Sequence, residues 1–391
     1  MSENSNPCTR RVQEKEIGPM NQTIAQRLAA KAAASNMASP YTVGLDLGDR
    51  RSQYCIFDNH GRIVVEGKVD TTRPGMRELA SIPAGRIVME VGTHSPWVSR
   101  QMQENGHEVF VANRRKCELK GNRNDKDDKR DARGLGRMGR FDPELLYPVR
   151  HRNAEVQQDR LKIHARAELL EARTKLINAA RGMVKALGER LGQCDADQVG
   201  EELAAHLPGR IGEGIRGLLR MVAALTGEIR QYDQQLEKLE KESYGEQTKW
   251  MRQIKGVGLV VSMTYVLTLE NPEHFDRGRV VGSYVGLRPK RRDSGETKTE
   301  MSITKEGDRY LRAMLVQSAQ YIMSRRGEDS DLRRWGLKLA QRGGKAAKRK
   351  AVVAVARKLA VLLHKLWKNR EVYVPLYTAW RQAAAAECAL A

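Results

Sequence analysis

Four carboxylates in the first third of the chain have the types and spacing for metal chemistry. Asp46 sits in an apolar run, Tyr41 to Leu47, which turns through Gly48-Asp49-Arg50 and returns as Tyr54-Cys55-Ile56-Phe57. This pattern predicts a β-hairpin with one carboxylate in the middle of an otherwise buried strand. A buried carboxylate is costly unless something neutralises it. A metal ion would do so, as would an arginine partner or a turn that Asp46 caps. Glu90 lies near the end of a second apolar run, RIVMEV. Asp128 and Asp131 stand three apart where an apolar helical pattern begins, through Ala132, Leu135 and Met138. That spacing puts both on one helix face. Asp125 and Asp128 share the spacing, so the register stays open between them. Hard cations take oxygen ligands, and these four carboxylates can hold two magnesium ions. Two such ions activate the attacking oxygen and stabilise the leaving oxygen of a phosphodiester.

The elements that must position these residues are strands first, then helices. After the hairpin, Arg62 to Val69 predicts a third strand, Pro74 to Ile82 a short helix and Arg86 to Val91 a fourth strand. Ser95 to Asn105 predicts a helix with Ser95 as N-cap and Pro96 at its first position, and His107 to Ala112 a fifth strand. A hairpin series followed by alternating helices and strands gives a mixed sheet with helices on its faces. Residues 1–40 are polar and Ala-rich, and predict a mobile arm in which Gln22 to Ser35 could be helical.

From Asn153 the pattern is helical. Leu170, Ile177, Val184 and Leu191 recur at seven, as do Leu169, Leu176 and Met183. A second seam runs through Ile211, Ile215, Leu218, Val222, Leu225, Ile229, Tyr232, Leu236 and Leu239. These heptads predict two long helices folded back as an antiparallel coiled coil across the break at Asp195 to Gly209. Further on, Ile254-Lys255-Gly256-Val257-Gly258 opens an apolar helix, Leu259 to Leu269. Backbone N–H groups at such a turn can take a phosphate, as in a helix-hairpin-helix element that holds nucleic acid by its backbone. Lys290 to Lys305 is polar and turn-rich, with one Ser-Gly, Ser294-Gly295, among Lys290, Arg291, Arg292 and Lys298. By itself this Ser-Gly reads as a turn. An amphipathic helix follows from Gly307 to Met323 with Thr304 as N-cap, and Leu332 to Leu339 and Ala346 to Leu366 are helical.

The 391 residues suffice for two or three domains. A net charge of +21 points to a polyanionic partner. No apolar run is long enough to span a bilayer and no signal-peptide core is present, so nucleic acid is the favoured partner and a membrane is not. The five cysteines form no CxxC pair and no zinc spacing, which suits a reducing cytoplasm. The segment GLDLGDRRSQYCIFD also looks like the phosphate hairpin of actin-like ATPases, but no DxGGGT loop or glycine-rich adenosine site accompanies it.

Asp46 in VGLDLG, Glu90 in MEVGTHSPW, and Asp128 with Asp131 in KDDKRDARGL resemble the DEDD signature of the RuvC-like transposases of bacterial insertion sequences, the "one-ten" and "eleven-eleven" groups. IKGVG, YVGLRPKRRDSGETK and ITKEGDRYLRAMLV resemble the C-terminal domain of the same family. The family's small polar residue before the third carboxylate is Asp127 here. The resemblance implies an RNase H-like catalytic domain and a helical second domain. It implies an oligomer guided by a structured RNA that pairs with donor and target DNA. It also implies that Ser294 is the nucleophile, forming a covalent phosphoserine link while the metal-bound carboxylates of a partner protomer stabilise the charge. A serine needs such activation.

The expected chain is therefore α/β plus all-α. Residues 1–40 form an arm, 41–150 a RuvC-like DEDD domain, 151–245 a coiled-coil linker and 246–391 a C-terminal transposase domain with a helix-hairpin-helix-like element. Asp46, Glu90, Asp128 and Asp131 are the expected ligands of two Mg2+ ions per site, and Ser294 is the expected nucleophile. Lys255, Gly256, Gly258, Arg291, Arg292, Lys298 and Lys305 are the expected nucleic-acid contacts. The expected protein is a cytoplasmic, nucleoid-associated dimer or tetramer acting as an RNA-guided DNA recombinase. The alternatives are a metal nuclease or junction resolvase with water as nucleophile, and a non-catalytic RNA-binding protein.

Overall fold

The apolar runs of the first third pair into one sheet. The structure is a computed structural model that describes residues 22–35, 41–113, 117, 127–294 and 297–378, without the side chains of residues 32, 34, 35 and 291–300. The chain divides into two compact units, Met1–Arg152 and Asn153–Ala391.

In the first unit, α1 (Ile24–Ser35) precedes β1 (Thr42–Asp46), β2 (Arg51–Phe57), β3 (Ile63–Asp70), α2 (Arg73–Ala80), β4 (Arg86–Glu90), α3 (Ser95–Glu104), β5 (Glu108–Ala112) and α4 (Asp128–Phe141). The sheet order is β3-β2-β1-β4-β5. The first three strands are antiparallel, while β1, β4 and β5 run parallel. This mixed five-stranded sheet with helices is consistent with an RNase H-like domain. One side of the core joins Val43, Leu45, Tyr54, Ile56, Ile87 and Met89 to Met76, Leu79, Val98 and Met102 of α2 and α3.

Two expectations are corrected here. Part of the expected mobile arm is a docked helix: Ile24 and Leu28 of α1 are both 1% exposed within that core. Arg27 donates to the Tyr54 hydroxyl at 3.0 Å and Lys31 to the Val64 carbonyl at 2.8 Å. Apolar residues four apart gave α1 a face that only burial could use. Ser95 is not the N-cap of α3; His94 holds that position without a side-chain cap. The Ser95 hydroxyl instead bonds Gly92 and, at 2.9 Å, His151 Nε2. Burial, and then the neighbouring charges of Arg100 and Arg152, push that imidazole down to about 4.

In the second unit, α5 (Ala154–Ala186) and α6 (Gly209–Leu239) form a long helix pair. Arg166 Nε meets Asp233 at 2.6 Å, and Arg173 meets Thr226 at 3.3 Å, so the helices run antiparallel. The first column at spacing seven is present, with Ile177 and Val184 buried. The second is not the expected one: Met183 is 53% exposed, and Arg173 and Ala180 take the seam. On α6 the buried positions are Ile215, Leu219, Val222, Thr226, Ile229 and Leu236 rather than Leu218 and Leu225. The shift has a polar cause. Arg173 and Arg166 enter the seam and need Thr226 and Asp233 opposite them, one residue beyond the more apolar stripe.

A π-helical turn, Glu240–Tyr244, leads to α7 (Gly245–Arg252), α8 (Leu259–Leu269), α9 (Arg279–Tyr284), β6 (Pro289–Ser294), β7 (Thr297–Ile303), α10 (Arg309–Met323), α11 (Asp331–Ala340) and α12 (Gly344–Asn369). Tyr265, Val266, Leu315, Val355, Leu359 and Leu363 centre its core. The N-cap of α10 is Asp308, whose carboxylate accepts from the Leu311 N–H at 2.7 Å, and not Thr304. Thr304 is spent in the approach to the helix, its own N–H bonding Arg288 O. The polar, turn-rich stretch from Lys290 to Lys305 holds a two-stranded hairpin, ordered by cross-strand pairing. No helix among the described residues is long and apolar enough to cross a membrane.

Candidate active site

Parallel pairing of β1 with β4 sets Leu45 opposite Met89, which carries Asp46 level with Glu90 at the same ends of neighbouring strands. Both side chains are half-buried. Asp46 is thus the last residue of β1 and not the middle of a buried strand, which lowers the cost of its charge.

The third and fourth carboxylates come from α4, which crosses β1, β2 and β4. Its sheet-facing residues are small: Ala132, Gly136 and Gly139, with Leu135 between them. Gly44 of β1 permits the closest approach. A Cβ there would strike the Ala132 carbonyl and lie 2.5 Å from the Gly136 nitrogen. Polar anchors fix the helix along its length. Arg133 clasps Glu66 of β3 through two bonds of 2.9 Å, and Arg86 donates to the Gly139 carbonyl at 2.8 Å. The Glu66 carboxylate holds the Arg133 guanidinium above its ordinary range.

Ala132 over Gly44 and Gly139 over Val88 and Arg86 define the direction of α4. Its first turn therefore lies toward the Asp46 end of the sheet. Asp131, half-buried, precedes the Gly44 contact by one residue, and Asp128 is exposed one turn earlier. Asp127 caps the helix, accepting from the Lys129 N–H at 3.1 Å. Asp125 lies outside the described residues.

Hard oxygen donors at one sheet end fit a divalent cation in kind. Among the described residues, however, no three His, Cys, Asp or Glu side chains converge tightly enough to form an ion cage. Glu90 also shapes its surroundings: burial, and then the Glu90 charge, push the Cys117 thiol upward.

One pair at this end escaped the sequence reading. His94 and Asp49 follow Glu90 and Asp46 in their respective loops and approach to 3.7 Å through His94 Nε2. His94 Nδ1 accepts from the Trp97 indole at 3.2 Å, so a neutral ring keeps its proton on Nε2, facing Asp49. The only signal in sequence was a histidine four residues beyond Glu90.

The second unit holds the remaining candidates. Ser294 is the last residue of β6 and pairs with Thr297, while Asp293 pairs with Lys298, Arg292 with Thr299 and Arg291 with Glu300. Lys305 is exposed with φ of 58°. Lys255 is exposed between α7 and α8. Gly256 has φ of 98° and faces Tyr321, so only glycine suits the turn there. Gly258 is the N-cap of α8 without a side-chain cap.

Two sequence profiles match this chain. A DEDD transposase profile covers residues 43–188, and the transposase IS116/IS110/IS902 family profile covers residues 249–335. The transposase for insertion sequence element IS1111A of Coxiella burnetii is 25% identical over 342 residues, which is 85% of this chain and 90% of that protein. A protein of Pseudomonas aeruginosa described as "Probable family 20 transposase" is 26% identical over 348 residues, 85% of this chain and 98% of that one. The transposase for insertion sequence element IS1328 of Yersinia enterocolitica is 24% identical over 296 residues, 72% of this chain and 84% of its own length.

A carboxylate-bearing mixed sheet joined to a helical second unit, with both profiles in the same order, defines a DNA transposase or recombinase, an enzyme of phosphoryl transfer on DNA. The chain resembles the IS116/IS110/IS902 transposases of bacterial insertion sequences in both of its units.

Proposed function

We propose that this transposase cuts and exchanges DNA strands under the guidance of a structured RNA, with Ser294 as nucleophile. The observation that carries the reading is the placement of Asp46 level with Glu90 at the sheet end toward which the first turn of α4 points. In this reading residues 41–150 form the catalytic domain, 151–245 a coiled-coil arm, and 246–391 the domain that presents the nucleophile.

The Ser294 hydroxyl attacks a DNA phosphorus. One P–O bond forms to Oγ as the bond to a deoxyribose oxygen breaks. Oγ gives up its proton, and the leaving oxygen takes one. The phosphoserine ester keeps the energy of the broken bond, so a hydroxyl on another strand can reverse the step and complete the exchange. Asp46, Glu90, Asp128 and Asp131 of a partner protomer in a dimer or tetramer would hold two magnesium ions, which would supply charge stabilisation at the phosphate oxygens. Arg291, Arg292 and Lys298 draw the phosphate toward the hairpin. Lys255, Gly256 and Gly258, as a helix-hairpin-helix element, and Lys305 hold the nucleic-acid backbone. The work takes place in the bacterial cytoplasm, on the nucleoid.

The test is to incubate protein, guide RNA and DNA with magnesium and to resolve the products on a denaturing gel. A covalent protein–DNA adduct is expected, and Ser294→Ala loses both the adduct and strand exchange. Asp46→Ala and Asp131→Ala lose cleavage. If Ser294→Ala keeps full strand exchange, water is the nucleophile and the protein is a metal nuclease or resolvase.

A further inference from the structure

A cavity of about 1280 Å³ in the second unit lies between α12, α11 and the base of the β6–β7 hairpin. Its floor is apolar, including Leu287, Leu332, Val361 and Leu362. Its walls carry six cationic side chains, Arg279, Arg349, Lys350, Arg357, Lys358 and Lys365, against one carboxylate, Asp331. That carboxylate is already engaged, accepting from the Thr378 N–H and hydroxyl at 2.8 Å each. Lys350, Arg357, Lys358 and Lys365 repeat at helical spacing along one face of α12, a rail of about 22 Å. Two aromatic rings stand beside it. The Lys358 ammonium lies 3.9 Å from the Trp335 ring centre, and that of Lys365 lies 5.8 Å from Tyr377. Lys365 also meets Glu371 at 3.0 Å.

We infer that this groove holds an unpaired stretch of polynucleotide, its bases against Trp335 and Tyr377 and its phosphates along the α12 rail. The charge excess selects a polyanion. The apolar floor and the rings select one whose base faces are exposed, since a duplex hides those faces while every unpaired base can stack. The hairpin base contributes Pro289, Met301 and Ile303 to the lining, so a strand in the groove lies beside the two strands that carry Ser294. This inference deepens the proposed strand exchange and rests on it for the identity of the ligand. Its chemistry requires neither Ser294 nor magnesium.

The experiment measures binding of the full-length protein to labelled oligothymidine, oligouridine and a DNA duplex of equal length, across a salt series. Trp335→Leu is expected to weaken single-strand binding about tenfold and to leave duplex binding unchanged, while Trp335→Phe restores it. Lys358→Gln with Lys365→Gln is expected to lower the slope of log affinity against log salt by about 0.7 for each lost phosphate contact. Tighter binding of oligothymidine assigns the groove to DNA and of oligouridine to RNA; either supports the inference. Unchanged single-strand affinity and salt slope in these variants overturn it. So does a change in self-association by sedimentation with oligonucleotide binding intact, which makes the groove a contact for a second copy. Should Trp335→Leu lose its melting transition, the Phe and Gln variants decide. The groove is read by equilibrium binding without magnesium and the nucleophile by the covalent adduct, so failure of the covalent adduct and failure of the groove are separate results.

Discussion

Replacing Gly44 by alanine tests whether backbone contact between β1 and α4 places the carboxylates. The added methyl would meet the Ala132 carbonyl and would sit 2.5 Å from the Gly136 nitrogen. Ordinary carbon contacts begin near ~3.5 Å, so α4 must retreat by about 1 Å or more. Both obstacles are main-chain atoms inside a regular helix, and no side chain can swing aside. Overpacking of this kind costs about 1–3 kcal/mol, which at about 2–4 °C per kcal/mol for a unit of this size lowers its melting temperature by roughly 2–12 °C. The retreat also moves Asp131, one residue from the contact. A misplacement of about 1 Å can cost about a hundredfold in rate. The assay is single-turnover DNA cleavage with magnesium, beside thermal melting followed by circular dichroism. If Gly44→Ala cleaves at the native rate and melts at the native temperature, α4 does not rest on β1 there, and the assignment of Asp131 fails with it.

Gly217→Ala on α6, where an added Cβ meets nothing within 4 Å, is expected to stabilise the second unit by up to about 1 kcal/mol in chemical denaturation. His151 titrates at about 4 when folded, below its ordinary 6.5. The unfolded chain therefore takes up the proton first, and stability present above pH 6.5 is lost as pH falls toward 4; His151→Gln flattens that part of a melting-temperature profile. Cys55 is buried, and that burial, followed by the Glu66 charge, pushes its thiol up to about 11. Mass spectrometry after iodoacetamide treatment at neutral pH is expected to show Cys194, half-buried, alkylated well before Cys55.

The sheet was legible in the sequence because its strands alternate with turn residues, and all five strands fall where the apolar runs predicted them. The start of α4 was legible as well, since an acidic first turn precedes an apolar stripe. The reason α4 sits where it does was less visible. Gly44, Gly136 and Gly139 act by lacking side chains, and a hydrophobic pattern assigns glycine no partner. The seam of the helix pair was misread because its deciding residues are polar: Arg173, Thr226 and Asp233 belong in it only once both helices are in place. The strands of the Ser294 hairpin were less visible for a related reason, since they are defined by pairing between two polar segments. His94 and Asp49 meet through loops of different strands, a proximity that only the sheet order supplies.

The polar layers of the long helix pair have a further consequence. The Arg166–Asp233 and Arg173–Thr226 contacts pin the two helices to each other at points seven residues, about 10 Å, apart. A helix pair pinned in this way is a rod of defined length. At ~1.5 Å per residue, the 33 residues of α5 make a strut of about 50 Å. On the scale of the DNA this enzyme rearranges, at ~3.4 Å per step, that strut spans about 15 base pairs, so its length is comparable to one and a half turns of the double helix.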